Sequence, residues 1–112
     1  MSHARPVSRA DIDAVFGALA DPTRRSLLDQ LAREGPASAT QLAAVYPVTR
    51  QAVVKHLSTM VDAGLLCSER DGREVRYSVQ PAQLDEAAAW LAAVGVRWDQ
   101  RLDALQRHLR KD

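Results

Sequence analysis

Arg50, Gln51, Lys55 and Ser58 fall on one side of a helical repeat, opposite Val53, Leu57 and Met60. An arginine fork matches the O6 and N7 acceptors of guanine. A glutamine amide matches N6 and N7 of adenine, and each such pair discriminates by about 1–3 kcal/mol. Arg50 and Gln51, at the start of the repeat, are the candidates for base edges. Thr49 and Lys55 suit phosphate oxygens, which position a duplex without specifying its sequence. The alternative is a merely solvated polar face. Val54 stands on the shoulder of the repeat. It either packs on a thymine methyl or widens the apolar stripe towards Val61.

A second basic group is Arg73 and Arg76, beside Asp71 and Glu74. Arginines at a hairpin tip can follow phosphates or enter a narrow minor groove; a salt bridge within the hairpin is the other reading. Arg24 and Arg25 are candidates for backbone phosphate or for pairing with Asp21 or Asp29. His56, next to the apolar arc, reads as a packed histidine hydrogen-bonded between helices.

Other chemistries find little support. Zinc takes about four nitrogen or sulfur ligands in a tetrahedral array, and here Cys67 is solitary while His3, His56 and His108 are scattered. Asp99, Asp103 and His108 do not make a tight ligand set. A thiol switch would need a second cysteine. No nucleophile with a base at suitable spacing, no glycine-rich phosphate loop and no carboxylate pair is present. Neither enzymatic activity, nor a metal site, nor any cofactor is expected.

The elements that must hold these residues are legible. Ser8 to Asp11 has the form of a capping box, followed by Ile12, Val15, Phe16 and Leu19 on one helical face. Asp21-Pro22 starts a second helix, with Leu27, Leu28 and Leu31 as its stripe and an end near Glu34. Ser38 to Gln41 is another capping box, opening a short third helix through Leu42 and Ala43 to about Val45. Tyr46-Pro47-Val48 is a turn. Thr49 caps a fourth helix carrying Val53, Leu57, Met60 and Val61, and Gly64 stands where a left-handed C-terminal residue is wanted. Strands follow at Leu65–Arg70 and Glu74–Val79, with Val75, Tyr77 and Val79 towards the core. Asp71-Gly72 is a hairpin signal, both turn positions being ones that can need positive φ.

Pro81 opens the last helix. Leu84, Ala87, Ala88, Leu91, Val94, Trp98, Leu102, Leu105 and Leu109 recur at three- and four-residue steps. Such a helix runs ~28 residues, about 40 Å. A domain of this size cannot cover that stripe, so a partner chain is expected to. A break at Gly95 with the second half folded back is the alternative. Trp90 and Trp98, eight apart, share a face and read as core or dimer contacts.

The chain has 112 residues, a net charge of +1 and one cysteine. This fits one soluble domain in a reducing, cytoplasmic setting. No apolar run approaches the ~18 residues of a membrane span, and the first residues lack the apolar middle of a signal peptide. With so small a net charge, any positive footprint must come from local clustering.

The stretches ALADPTRRSLLDQL (18–31), VTRQAVVKHL (48–57), AGLL (63–66) and GREVRYSV (72–79) together resemble the ArsR-type family of small winged-helix bacterial transcription regulators. The resemblance covers roughly residues 12–109. The tail at 90–109 is similar to the branch with a long final helix, not to the short metal-sensing members. The expected fold is mostly α with a small β-hairpin, a winged helix-turn-helix in the order α-α-α-α-β-β-α. The expected organisation is a flexible arm at 1–8, a DNA-binding core at 9–80 and a dimerisation helix at 81–112. The resemblance implies a homodimer built from the first and last helices that binds a palindromic operator in double-stranded DNA and represses transcription. Phe16, Leu91, Val94, Trp98, Leu102 and Leu105 are the expected dimer contacts. An effector-responsive repressor, sensing a small molecule or less readily a metal, is the second reading. A dimeric protein-interaction module without DNA is the third, which Arg50, Gln51 and Lys55 oppose.

Overall fold

The computed structural model describes residues 9–110. The arm at 1–8 and the serine of the first capping box lie outside the described residues. The elements are α1 (Arg9–Leu19), α2 (Pro22–Glu34), β1 (Ala37–Ser38), α3 (Ala39–Ala43), α4 (Arg50–Asp62), β2 (Leu66–Asp71), β3 (Glu74–Val79) and α5 (Pro81–Arg110).

Each helix boundary has a local cause. Asp21 caps α2, its carboxylate accepting from the Arg24 amide at 2.9 Å, and Pro22 occupies the first turn. Gly35, at φ 90°, ends it. Ser38 caps α3 reciprocally: its Oγ accepts from the Gln41 amide at 3.2 Å, and its own amide donates to Gln41 Oε1 at 2.9 Å. Thr49 caps α4 by accepting from the Ala52 amide at 3.1 Å. At the far end of α4 the Leu65 amide donates to Met60 O and the Gly64 amide to Val61 O. With Gly64 at φ 79° this is a Schellman closure. Leu65 is therefore part of the cap, and the first strand starts at Leu66.

The core joins α1, α2, α4 and the strands. Val15, Leu27, Val53, Leu57, Met60 and Leu65 are fully buried; truncating such a leucine to alanine costs about 2–5 kcal/mol. On α1 the expected face is only partly sunk. Val15 is buried, Ile12, Phe16 and Leu19 are half-buried, and Ala18 joins the core beside them.

The sheet has three strands in the order β1-β3-β2, all pairs antiparallel. The hairpin is as expected, and β1 is an addition: Ala37 pairs with Tyr77 and Ser38 with Arg76. Asp71 closes β2 opposite Glu74, so the two-residue connection is Gly72-Arg73. Only Gly72 there has positive φ, at 65°. This is the requirement of a turn with glycine first, not of one needing two left-handed residues. Val75 was expected in the core. It lies on the same side of the sheet as buried Tyr77 but is exposed, because the hairpin tip extends past the helical body.

α5 is a single helix of 30 residues, about 45 Å long. It runs straight through Gly95, where an added Cβ would meet nothing. The radius of gyration is 18.7 Å, against about 13 Å for a compact chain of this length. Ala87 is the one buried residue of the helix.

An added Cβ at Gly64 would collide with the side-chain amide of Gln83 in α5, and a non-glycine residue at positive φ costs about 1–3 kcal/mol by itself. Gly64→Ala is therefore expected to lower unfolding stability by at least that amount in urea titration. A midpoint equal to the parent's would contradict this role.

Candidate nucleic-acid interface

α4 buries Val53, Leu57 and Met60 and leaves Gln51, Lys55, Ser58 and Asp62 exposed on the opposite side. The cap hydroxyl of Thr49 is exposed, and its hydrogen remains available to an acceptor. Val54 is half-buried: it packs against the core and also lines a groove towards the wing.

Arg50 belongs to the first turn of α4 but does not extend along the outward face. Its Nε donates to Thr40 Oγ1 of α3 at 3.0 Å. Arg73, in the wing turn, lines the same groove from the other side. The structure thus brings Arg50, Val54 and Arg73 together and leaves Gln51, Lys55 and Ser58 as a separate outward patch.

Arg76 is placed elsewhere. Side chains alternate across a sheet, and Tyr77 is the neighbour that faces the core. Arg76 therefore stands on the outer face, opposite Glu69 in register and 3.7 Å from Asp71. This is the ion pair within the hairpin, the alternative to a DNA contact. The same register places Arg70 opposite Val75, on the side that faces α4.

Arg24 and Arg25 are structural. Arg24 Nε donates to Ala18 O at 2.6 Å and a terminal nitrogen to Gly17 O at 3.3 Å, while Arg25 donates to Leu19 O at 2.6 Å. Both bond to carbonyls in the last turn of α1, where intrahelical donors run out. Neither bonds to Asp29, which pairs instead with Arg33 at 3.1 Å. Arg24 also reaches His56 Nδ1 at 3.4 Å, and Asp21 lies 4.0 Å from that nitrogen. His56 is thus held between α4 and α2, as its position suggested.

Cys67 is exposed on β2, with Sγ 3.0 Å from Ser78 Oγ. Among the described residues, no three His, Cys, Asp or Glu side chains come together as a metal-binding group. On α5, Leu91, Trp98 and Leu105 are each more than half exposed, and Val94 and Leu102 more than a third. Phe16 of α1 meets α5 through an edge-to-face contact with Trp90 at 5.8 Å.

The hydrogen bond from the Arg24 amide holds the Asp21 carboxyl below its ordinary pKa, with nearby His56 and Arg24 charge acting in the same direction. A depressed carboxyl stabilises the fold fully above its ordinary value of about 3.9 and ceases to do so as pH falls through the lower folded value. Asp21→Asn keeps a capping oxygen but cannot titrate. Its stability is therefore expected to fall less steeply than the parent's between about pH 5 and pH 2, followed by urea unfolding at each pH. Parallel curves would remove Asp21 from the acid sensitivity.

Known proteins share this arrangement. A helix-turn-helix domain family matches residues 19–68. The chain is 42% identical over 67 residues to the HTH-type transcriptional regulator YuzN of Bacillus subtilis, covering 54% of this chain and 73% of that protein. It is 30% identical over 77 residues to the transcriptional repressor SdpR of the same organism, covering 69% and 84%. An ArsR-like transcriptional regulator from Rhodococcus sp. RHA1 superposes with a TM-score of 0.77 at 42% identity, over 88% of this chain and 92% of that one. A capped recognition helix, an adjoining wing and these relationships lead to one statement: the chain belongs to the ArsR-type family of winged helix-turn-helix transcriptional regulators, DNA-binding proteins and not enzymes.

Proposed function

We propose that the protein is a homodimeric repressor that binds a palindromic operator in cytoplasmic double-stranded DNA. The observation that carries this reading is the pairing of two surfaces in one chain. α4 presents exposed Gln51, Lys55 and Ser58 from a helix fixed at both ends, and α5 presents an apolar stripe that its own chain leaves open. In this reading residues 9–80 carry the DNA contacts and 81–112 join the protomers. Gln51 reads a base edge in the major groove, Thr49 and Lys55 take phosphates, and the wing follows the adjacent backbone.

Leu91, Val94, Trp98, Leu102 and Leu105, with Phe16 at the side, would be covered by the partner's equivalent surface. Burial at about 25 cal/mol per Å² of apolar surface gives such a stripe ample reason to associate. The similarity to a repressor favours repression over activation. Among the described residues no helix is long and apolar enough to cross a membrane.

The test is a selection of bound fragments from random duplex DNA, combined with sedimentation of the protein alone. An inverted repeat is expected, with half-sites about 34–36 Å apart. Trp98→Glu and Leu102→Glu are expected to yield folded monomers. Losing the second contact should weaken binding to the full repeat on the order of 10²-fold or more, with binding to a single half-site little changed. A monomeric parent protein, or a selected site without two-fold symmetry, would defeat the proposal.

A further inference from the structure

The groove between the helix-turn-helix and the wing has a chemistry of its own. It measures about 360 Å³ and is bounded by Thr40 of α3, Arg50 and Val54 of α4, and Arg73, Glu74 and Val75 of the wing. Its two cations enter from opposite walls. Arg50 is tethered by its Nε to Thr40 Oγ1 at 3.0 Å. A guanidinium carries five N–H donors in a fixed plane, so this bond orients the group and leaves its terminal nitrogens for another acceptor. Successive residues of a helix are about 100° apart at 3.6 per turn. Arg50, one step from Gln51, is thus turned away from the outward patch and towards the wing.

We propose that this groove seats one phosphodiester of the DNA backbone, with Arg50 on the helix side and Arg73 on the wing side. Thr40 is the positioning residue that aims Arg50 into the seat. The assignment deepens the DNA-binding reading above and rests on it. It also changes one role: Arg50 fixes the register of the protein on the duplex, and base reading falls to Gln51 with its outward neighbours.

Two features make phosphate the fitting occupant. Planar forks suit phosphate oxygens bidentately, and here two forks face one polar space. The groove also lies where the backbone must pass if α4 enters the major groove and the wing lies beside it. Glu74 borders the same groove, but its pairing with Asp71 sets its side chain on the outer face with Arg76, which leaves the two guanidinium groups to define the charge of the seat.

The test uses the full chain and measures affinity for the selected operator and for a scrambled duplex, from about 50 to 200 mM salt. Arg50→Gln is expected to weaken both by a similar factor and to reduce the slope of log affinity against log salt by about one per protomer. Thr40→Val should reproduce part of that loss, Thr40→Ser should restore it, and Thr40→Val should add nothing in the Arg50→Gln background. If Arg50→Gln instead relaxes the preference at one base pair and leaves the salt slope unchanged, Arg50 reads a base. The phosphate seat then falls while the regulator reading stands. A parent protein that binds neither duplex would overturn the DNA-binding reading together with it.

Discussion

The orientation of α4 is the constraint on which the rest of this fold depends. A helix of 13 residues is marginal in isolation, and nothing in its exposed face would hold it in place. It is fixed instead by three independent means. Thr49 satisfies an open amide at its start. The Gly64 turn closes its carbonyls at the end. Val53, Leu57 and Met60 fasten one face to the core with no exposure at all. A side chain that reads a base must be placed within a fraction of an ångström. Capping at both ends removes the fraying that would otherwise blur Gln51 in the first turn.

α4 is also joined to its neighbours by polar contacts that apolar packing could not specify. Arg24 gathers the last carbonyls of α1 and a ring nitrogen of His56, which lies on α4. Asp21, the cap of α2, stands at the same junction. Three helices are thereby set at fixed mutual angles around one guanidinium. At the opposite end, the Gln83 amide packs over Gly64, so the base of α5 bears directly on the end of α4. The larger packing of α5 against the domain is with α1, where Phe16 meets Trp90.

Much of this was legible in the sequence because the signals are local. Asp21-Pro22, the reciprocal pair Ser38 and Gln41, Thr49 and Gly64 each act within a few residues, and each boundary lies where its chemistry puts it. The three-residue and four-residue steps of α5 likewise declare its length. What escaped depends on partners distant in the chain. β1 is two residues long, too short for any alternation, and exists only because β3 passes alongside. Val75 obeys the alternation of its strand, but its exposure depends on where the helical body ends. Arg76 lies next to Tyr77 in β3 and so on the outer face, and Arg70 pairs with Val75 on the other; strand alternation alone carries both placements, whichever two residues make the turn. Arg50 was legible as a donor but not as a tethered one, since Thr40 lies ten residues away on another helix.

The distribution of charge follows from these assignments. The chain has 15 lysines and arginines against 14 acids, so it gains no general attraction to DNA. Several of the cations are occupied within the fold: Arg24 and Arg25 by the carbonyls of α1, Arg33 by Asp29 and Arg76 by Asp71. Arg73 of the wing shares a groove with Arg50, while Glu69, Asp71 and Glu74 lie on the outer face with Arg76. A protomer thus offers few phosphate contacts, and each contributes slightly less than one unit of salt dependence. So small a set gives weak nonspecific binding by a single protomer. Useful affinity then has to come from engaging two half-sites at once, where the effective concentration of the second contact multiplies the first. In the proposed dimer the uncovered stripe of α5 joins two such protomers, so that each weak set of contacts is multiplied by the other.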